Sequence, residues 1–271
     1  MNTENKLRYS SQDLSSKITD HIQELAEATD AARVSETMIK YLDFCGKFHN
    51  YSPNNIWLIL MEMPEATHVA GYHRCREIGR YVKRGERGLP ILAPIIKTIT
   101  NEVGKDEENL IGFKVVYVFD VSQTDGELLP EPPNWRSPEK NTELTDRLIQ
   151  FAESKSIKVT IKPLAGDIQG ISKGGVVELS PNAGVKTLVH EIAHELLHHN
   201  GDRRHNSSVR ELEAESVAYV VGKHFGLEGL SSPNYVALHG AEAEMILQHM
   251  DRIRSTAAKI ITEIEENDNN G

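Results

Sequence analysis

The chain has 271 residues, room for two ordinary domains or one large one. Its 30 basic against 40 acidic side chains leave a net charge of −10, which excludes an overall basic coat but permits a local basic face. Two cysteines, Cys45 and Cys75, exclude a disulfide scaffold and fit a reducing compartment.

Met1 to Ser10 is polar and lacks an apolar signal core, and the longest apolar run, Ile56 to Met61, is far too short to cross a bilayer. A soluble, cytoplasmic protein without a membrane partner is expected. Leu14, Ile18, Ile22 and Leu25 recur at helical spacing and predict a helix over 11–29. A second helix covers about Val34 to Phe48. Ser52 and Pro53 read as N-cap and first residue of a third, which carries Ile56, Trp57, Ile59 and Leu60. Strand signals follow at 67–72, 89–99 and 111–119, with a polar hairpin loop at 100–109. Leu128 to Lys140 holds Pro130, Pro132, Pro133 and Pro138 and reads as a linker. Beyond it come a helix at 143–154, a strand at 157–161, a Gly-rich turn and a strand at Val176 to Leu179. Two helices follow, one from about Asn182 and one around Glu211, and then a long helix from about Ala241 to Glu265. The pattern is α+β in two domains: 1–130, a Pro-rich linker 131–140, and 141–271.

The segment His190-Glu191-Ile192-Ala193-His194 places imidazoles at i and i+4, one face of a helix, with a carboxylate beside the first. That spacing suits two ligands of one zinc ion, with Glu191 as general base. A third histidine in the extended metzincin pattern is absent, because Leu197 and Asn200 occupy the two diagnostic positions. His205 reaches the site only by an unusual turn. On the next helix, Glu211 and Glu215 share a stripe with Ala214, Val217, Ala218 and Val221, while Glu213 points away. Glu211 is expected as third ligand and Glu215 as acceptor for a ligating histidine, with the reverse assignment open. Tyr235 or His239 would face the oxyanion. The strand Val176 to Leu179 is expected to pair with an extended substrate.

Arg74, Arg76, Arg80, Lys83, Arg84 and Arg87 crowd a short stretch opposed only by Glu77 and Glu86. Tyr72 and Tyr81 interleave with them. Cations neutralise phosphates and aromatic rings stack on bases, so a single-stranded nucleic-acid face is one reading and a solvated charged turn the other. Tyr51 is a further candidate for that face.

Tyr51-Ser52-Pro53-Asn54-Asn55, Ala66-Thr67-His68-Val69-Ala70-Gly71-Tyr72, Ile78 through Gly88, Ile91-Leu92-Ala93-Pro94 and Val118 through Thr124 together resemble the ArdC-type antirestriction proteins of mobile elements. Glu211 to Glu215 and Ser232 to Tyr235 extend the resemblance, and the His190–His194 helix is also similar to that of the ImmA/IrrE regulatory peptidases. Cys75 departs from the Trp usual in the family. The resemblance implies an N-terminal domain that binds single-stranded DNA and a C-terminal zincin-like metallopeptidase domain. Carried over by position, the zinc ligands are His190, His194 and Glu211, the base is Glu191, and Glu215 supports a ligand. Tyr51, Arg80, Lys83, Arg84 and Arg87 would face DNA. The partners would be single-stranded DNA and a protein substrate or restriction complex. Two other functions remain: a non-catalytic DNA-binding antirestriction module with structural zinc, and a repressor-cleaving regulatory peptidase.

Overall fold

A computed structural model describes residues 9–28, 31–100, 106–129, 138–198, 207–231, 233 and 243–268. In chain order the elements begin with helices α1 (Ser11–Glu27), α2 (Ala31–Lys47) and α3 (Pro53–Glu62). Strand β1 (Val69–Gly71), helix α4 (Tyr72–Glu77) and strands β2 (Arg80–Val82), β3 (Leu89–Thr100), β4 (Asp106–Asp120) and β5 (Thr124–Gly126) follow. Then come α5 (Pro138–Ser154), β6 (Lys158–Ile161), β7 (Gly170–Ser172), β8 (Val176–Leu179), α6 (Val185–His198), α7 (Ser207–His224) and α8 (Ala243–Asp268). No helix among the described residues is long and apolar enough to cross a membrane.

The chain forms two compact units. One holds Met1–Ile22 and Asn54–Pro130, the other Gln23–Pro53 and Glu131–Gly271. Sequence alone draws a single break at the prolines and keeps 23–53 with the N-terminal domain. The structure differs because α2 packs on α7 and α8. Its Met38, Tyr41, Leu42 and Cys45 are buried, and the Tyr219 hydroxyl of α7 donates to Asp43 at 2.9 Å. Pro138 to Lys140 already belong to α5. The rest of the expected linker, 131–137, lies outside the described residues, as do His205, Tyr235 and His239.

In the first unit β4 lies between β1 and β3, with both pairings antiparallel. Asn55 of α3 docks that helix on the sheet. Its amide donates to the Leu92 carbonyl at 2.9 Å and accepts from the Leu92 N–H at 2.8 Å, mimicking a ladder partner for buried backbone. Asp120, buried at the end of β4, accepts from the N–H groups of Thr67, His68 and Ser122. Burial raises its pKa, but these hydrogen bonds outweigh that and hold it low. Gln123 completes the capping box on the single 3-10 turn Val121–Gln123 and donates to the Arg87 carbonyl at 2.8 Å. The sequence Asp120 to Thr124 is thus a polar knot from which the neighbouring basic segment hangs. That segment is not a plain turn: it opens with α4, and β2 pairs antiparallel with β5.

In the second unit β8 is central, parallel to β6 and antiparallel to β7. Helix α6 packs on β7, β8 and α7, and α7 packs on α6, α8 and α2. Leu188, Val189, Ile192, Val217, Val220, Ile253 and Ile260 are buried in this core.

Candidate metal centre

His190 and His194 stand one turn apart on α6, and Glu211 lies in the first turns of α7. The Nε2 atoms of the two histidines are 3.0 Å apart. Each lies 3.4 Å from an oxygen of Glu211. Ligands at about 2.0–2.1 Å from a tetrahedral ion stand about 3.3 Å from one another. The three donors therefore fit one small divalent cation, and among the described residues they alone form such a group, within 4.8 Å of each other. Glu211 is exposed, so one side of the group opens to solvent.

The far nitrogens of both rings are also engaged. His190 Nδ1 lies 3.4 Å from Glu215 Oε2, and Glu215 also accepts from the Lys186 ammonium at 2.5 Å. His194 Nδ1 lies 3.1 Å from His198 Nδ1. Burial lowers the pKa of His190, but Glu215, Glu191 and Glu211 outweigh it and raise the net value. Burial and the adjacent charge of His190 push His194 down to about 4.

Glu191 is 9% exposed, between α6 and β7. Burial raises its pKa first, and the charge of Glu211 adds to the rise against the pull of His190 and the Ser172 N–H. Gly170 makes room for it. A Cβ at that position would meet Glu191 Cγ at 2.7 Å and the Thr187 methyl at 2.9 Å. Gly170→Ala is expected to cost about 1–3 kcal/mol in urea denaturation, the usual cost of overpacking. Gly184→Ala, where nothing lies within 4 Å, should stay within about 0.5 kcal/mol. Equal stabilities would remove Gly170 from the account of this carboxylate.

Helix α6 packs on both β7 and β8, and of these two only β7 is an edge strand. Sequence alone offers Val176 to Leu179 to an extended substrate, but β8 is hydrogen-bonded on both sides. The outer edge belongs to β7. Lys173 donates to Val176 and Ser180 donates to the Gln169 carbonyl, so alternation turns Gly170 and Ser172 away from β8. Glu195 fastens this hairpin to α6. Its carboxylate accepts from the N–H groups of Lys173, Gly174 and Gly175 and from the Ser172 hydroxyl, at 2.6–2.9 Å. Gly174 and Gly175 have φ of 80° and 84°, which suits a turn folded around an anion.

Glu213 does not point away. It has no exposed surface. His198 Nε2 lies 2.8 Å from its Oε2, and His249 Nδ1 and Arg252 Nε of α8 lie 2.7 and 2.9 Å from its Oε1. Burial opposes ionisation, but these hydrogen bonds outweigh it and hold the carboxyl far below the ordinary range.

In the basic segment the residues divide. Arg80 donates to Thr124 Oγ1 at 2.8 Å and to the carbonyls of Thr124, Val121 and Glu127, so its guanidinium braces β2 against β5. Lys83 donates to the Ser122 carbonyl at 2.9 Å. Arg84 and Arg87 are exposed, as are Tyr72 and Tyr81. The same unit holds a cleft of about 280 Å³, lined by His68, Arg74, Cys75, Arg80 and Phe119 among others. Tyr51 belongs to the other unit, where its carbonyl accepts from Arg254.

The family model for the N-terminal domain of anti-restriction factor ArdC matches residues 12–152. The chain belongs to the ArdC antirestriction family. An uncharacterized protein of Bacillus anthracis, pXO2-81, is 27% identical over 295 residues, covering 89% of this chain and 50% of its own length. This ArdC-family chain thus spans about half of that relative. The crystal structure of the antirestriction protein ArdC from plasmid R388 in its metal-free form is 16% identical, with a TM-score of 0.49 over 81% of this chain and 86% of that one. The Mn(II)-bound form is 15% identical, with a TM-score of 0.44 over 83% and 97% of the two chains. The ArdC family match ends at residue 152, ahead of α6. The metal centre therefore rests on its own geometry.

Proposed function

We propose that this ArdC-family protein is a zinc metallopeptidase joined to a single-stranded-DNA-binding unit, and that it shields incoming mobile DNA from restriction. The convergence of His190, His194 and Glu211 supports the first half. A zinc ion held there would bring the pKa of a coordinated water towards neutrality and polarise a carbonyl. Glu191, beside the first histidine, would take a proton from the attacking water and return it to the leaving amine. The backbone of Gly170, turned away from β8 on the edge of β7, offers an extended peptide a place to pair as an added strand. Glu215 and Lys186 hold His190 in place meanwhile.

Exposed Arg84, Arg87, Tyr72 and Tyr81, in a unit that also carries a cleft lined by Arg74, Arg80 and apolar side chains, support the second half. Arg80 serves there as a brace and leaves phosphate contact to its neighbours. The decisive experiment is zinc titration of the metal-free protein, followed by peptide and protein cleavage assays with and without chelator and single-stranded DNA. His190→Ala or His194→Ala should abolish tight zinc binding. Zinc binding without cleavage of any substrate would leave a DNA-binding protein with a structural ion. For the DNA unit, Arg84→Ala with Arg87→Ala should reduce the slope of log affinity against log salt by about 1.4, near 0.7 per lost phosphate contact on a single strand. An unchanged slope would take both residues out of the footprint.

A further inference from the structure

The geometry points to His198 and Glu213 as positioning residues that fix which nitrogen His194 offers to a cation. The inference rests on the metal reading above and concerns side chains which that reading leaves unused.

The chain of contacts has one polarity. Arg252 is permanently charged, and its guanidinium bonds both oxygens of Glu213, at 2.9 and 3.3 Å. Glu213, also facing His249 Nδ1 at 2.7 Å, is therefore an acceptor only. His198 Nε2, 2.8 Å from Glu213 Oε2, must carry a hydrogen. A neutral His198 then presents a bare Nδ1 to His194 Nδ1, 3.1 Å away, which must donate. His194 is left with its lone pair on Nε2, 3.0 Å from His190 Nε2 and facing the Glu211 carboxylate. On the other ring, Glu215 facing His190 Nδ1 calls for a hydrogen there, and Nε2 again keeps the lone pair. Two lone pairs at this separation repel unless a cation or a shared proton lies between them. The two ligands are thus set by carboxylates of one helix, Glu215 reaching His190 directly and Glu213 reaching His194 through His198. His249 and Arg252 make α8 part of the site without touching it.

Partners of this kind hold ligand orientation, and their loss usually weakens metal binding about 10–100-fold. The sequence carries the cue in Glu211-Leu212-Glu213-Ala214-Glu215, where alternate carboxylates serve as ligand, anchor and anchor.

The test begins on the unmutated full chain. With ¹⁵N-labelled histidine and zinc bound, long-range ¹H–¹⁵N spectra should find His198 protonated on Nε2 alone and His194 on Nδ1 alone. A proton on His198 Nδ1 would overturn the inference. Competition with a chelating dye should then show His198→Phe binding zinc about 10–100-fold more weakly. His198→Gln, which keeps an acceptor and a donor, should lose less, and the cobalt(II) spectrum should change for Phe alone. His49→Gln, at a buried histidine outside the chain of contacts, should bind zinc as the parent does. Parental affinity in His198→Phe would also overturn the inference. Failure of the unmutated protein to take up zinc would instead sink the metal reading itself.

Discussion

Glu191→Gln should remove peptide hydrolysis while zinc affinity and the melting curve stay close to those of the parent. The exchange keeps the shape of a side chain wedged against Gly170, where spare volume is absent. The amide oxygen can still accept the Ser172 N–H that Glu191 now receives. It cannot take and return a proton, and proton transfer of this kind contributes about 10²–10⁴-fold to rate. The measurement is cleavage by zinc-loaded variant and parent at equal concentration, alongside zinc titration and thermal melts. Cleavage at the parental rate would end the peptidase proposal. Loss of zinc binding would instead place Glu191 among the groups that hold the metal.

Glu213→Ala should destabilise the second unit by about 3–5 kcal/mol in urea denaturation, the cost of leaving buried charges without their partner. Arg252, His249 and His198 all converge on this carboxylate, and it has no contact with solvent. Glu213→Gln should cost less, because the amide can still accept from one donor. A loss under about 1 kcal/mol for the alanine variant would show that the donors find water or one another. The same network predicts acid sensitivity. A carboxyl held low in the folded state stabilises fully above its unfolded pKa and loses that contribution as pH falls through its folded one. Glu213 is held low, and outside that network the hydrogen bond with His224, with His49 Nε2 3.4 Å away, brings Glu265 from 4.5 to about 2. The second unit should therefore weaken as pH drops from about 4.5 towards 2, visible as a falling urea midpoint.

The convergence of His190, His194 and Glu211 was legible because its signal is local. His190 and His194 are fixed by the pitch of one helix, and Glu211 follows on the next. Glu213 was not, and the reason is packing. Helix α7 is buried from Ser216 to Gly222 and at Val209, Leu212, Glu213 and Ala214, leaving little solvent face against which to read a period. Which carboxylate is inside then depends on the donors that α8 brings, more than thirty residues along the chain. Three-residue β7, a glycine and two others, gives no strand pattern, so the longer β8 took its place as the substrate strand. Arg80 looked like its basic neighbours because composition does not distinguish a guanidinium held by carbonyls from one facing water. The polar knot at Asp120 to Thr124 held the cue, since backbone turned out of a ladder needs donors from somewhere.

A surface turn built on two glycines is ordinarily among the first places where backbone protons trade with solvent. Between β7 and β8 the amides of Lys173, Gly174 and Gly175 end instead on a carboxylate rooted in a buried helix. They can exchange only when Glu195 lets go, which ties the slowest opening of this hairpin to unravelling of α6 itself. That corner beside Glu191 is thus held by the helix rather than by the turn's own backbone.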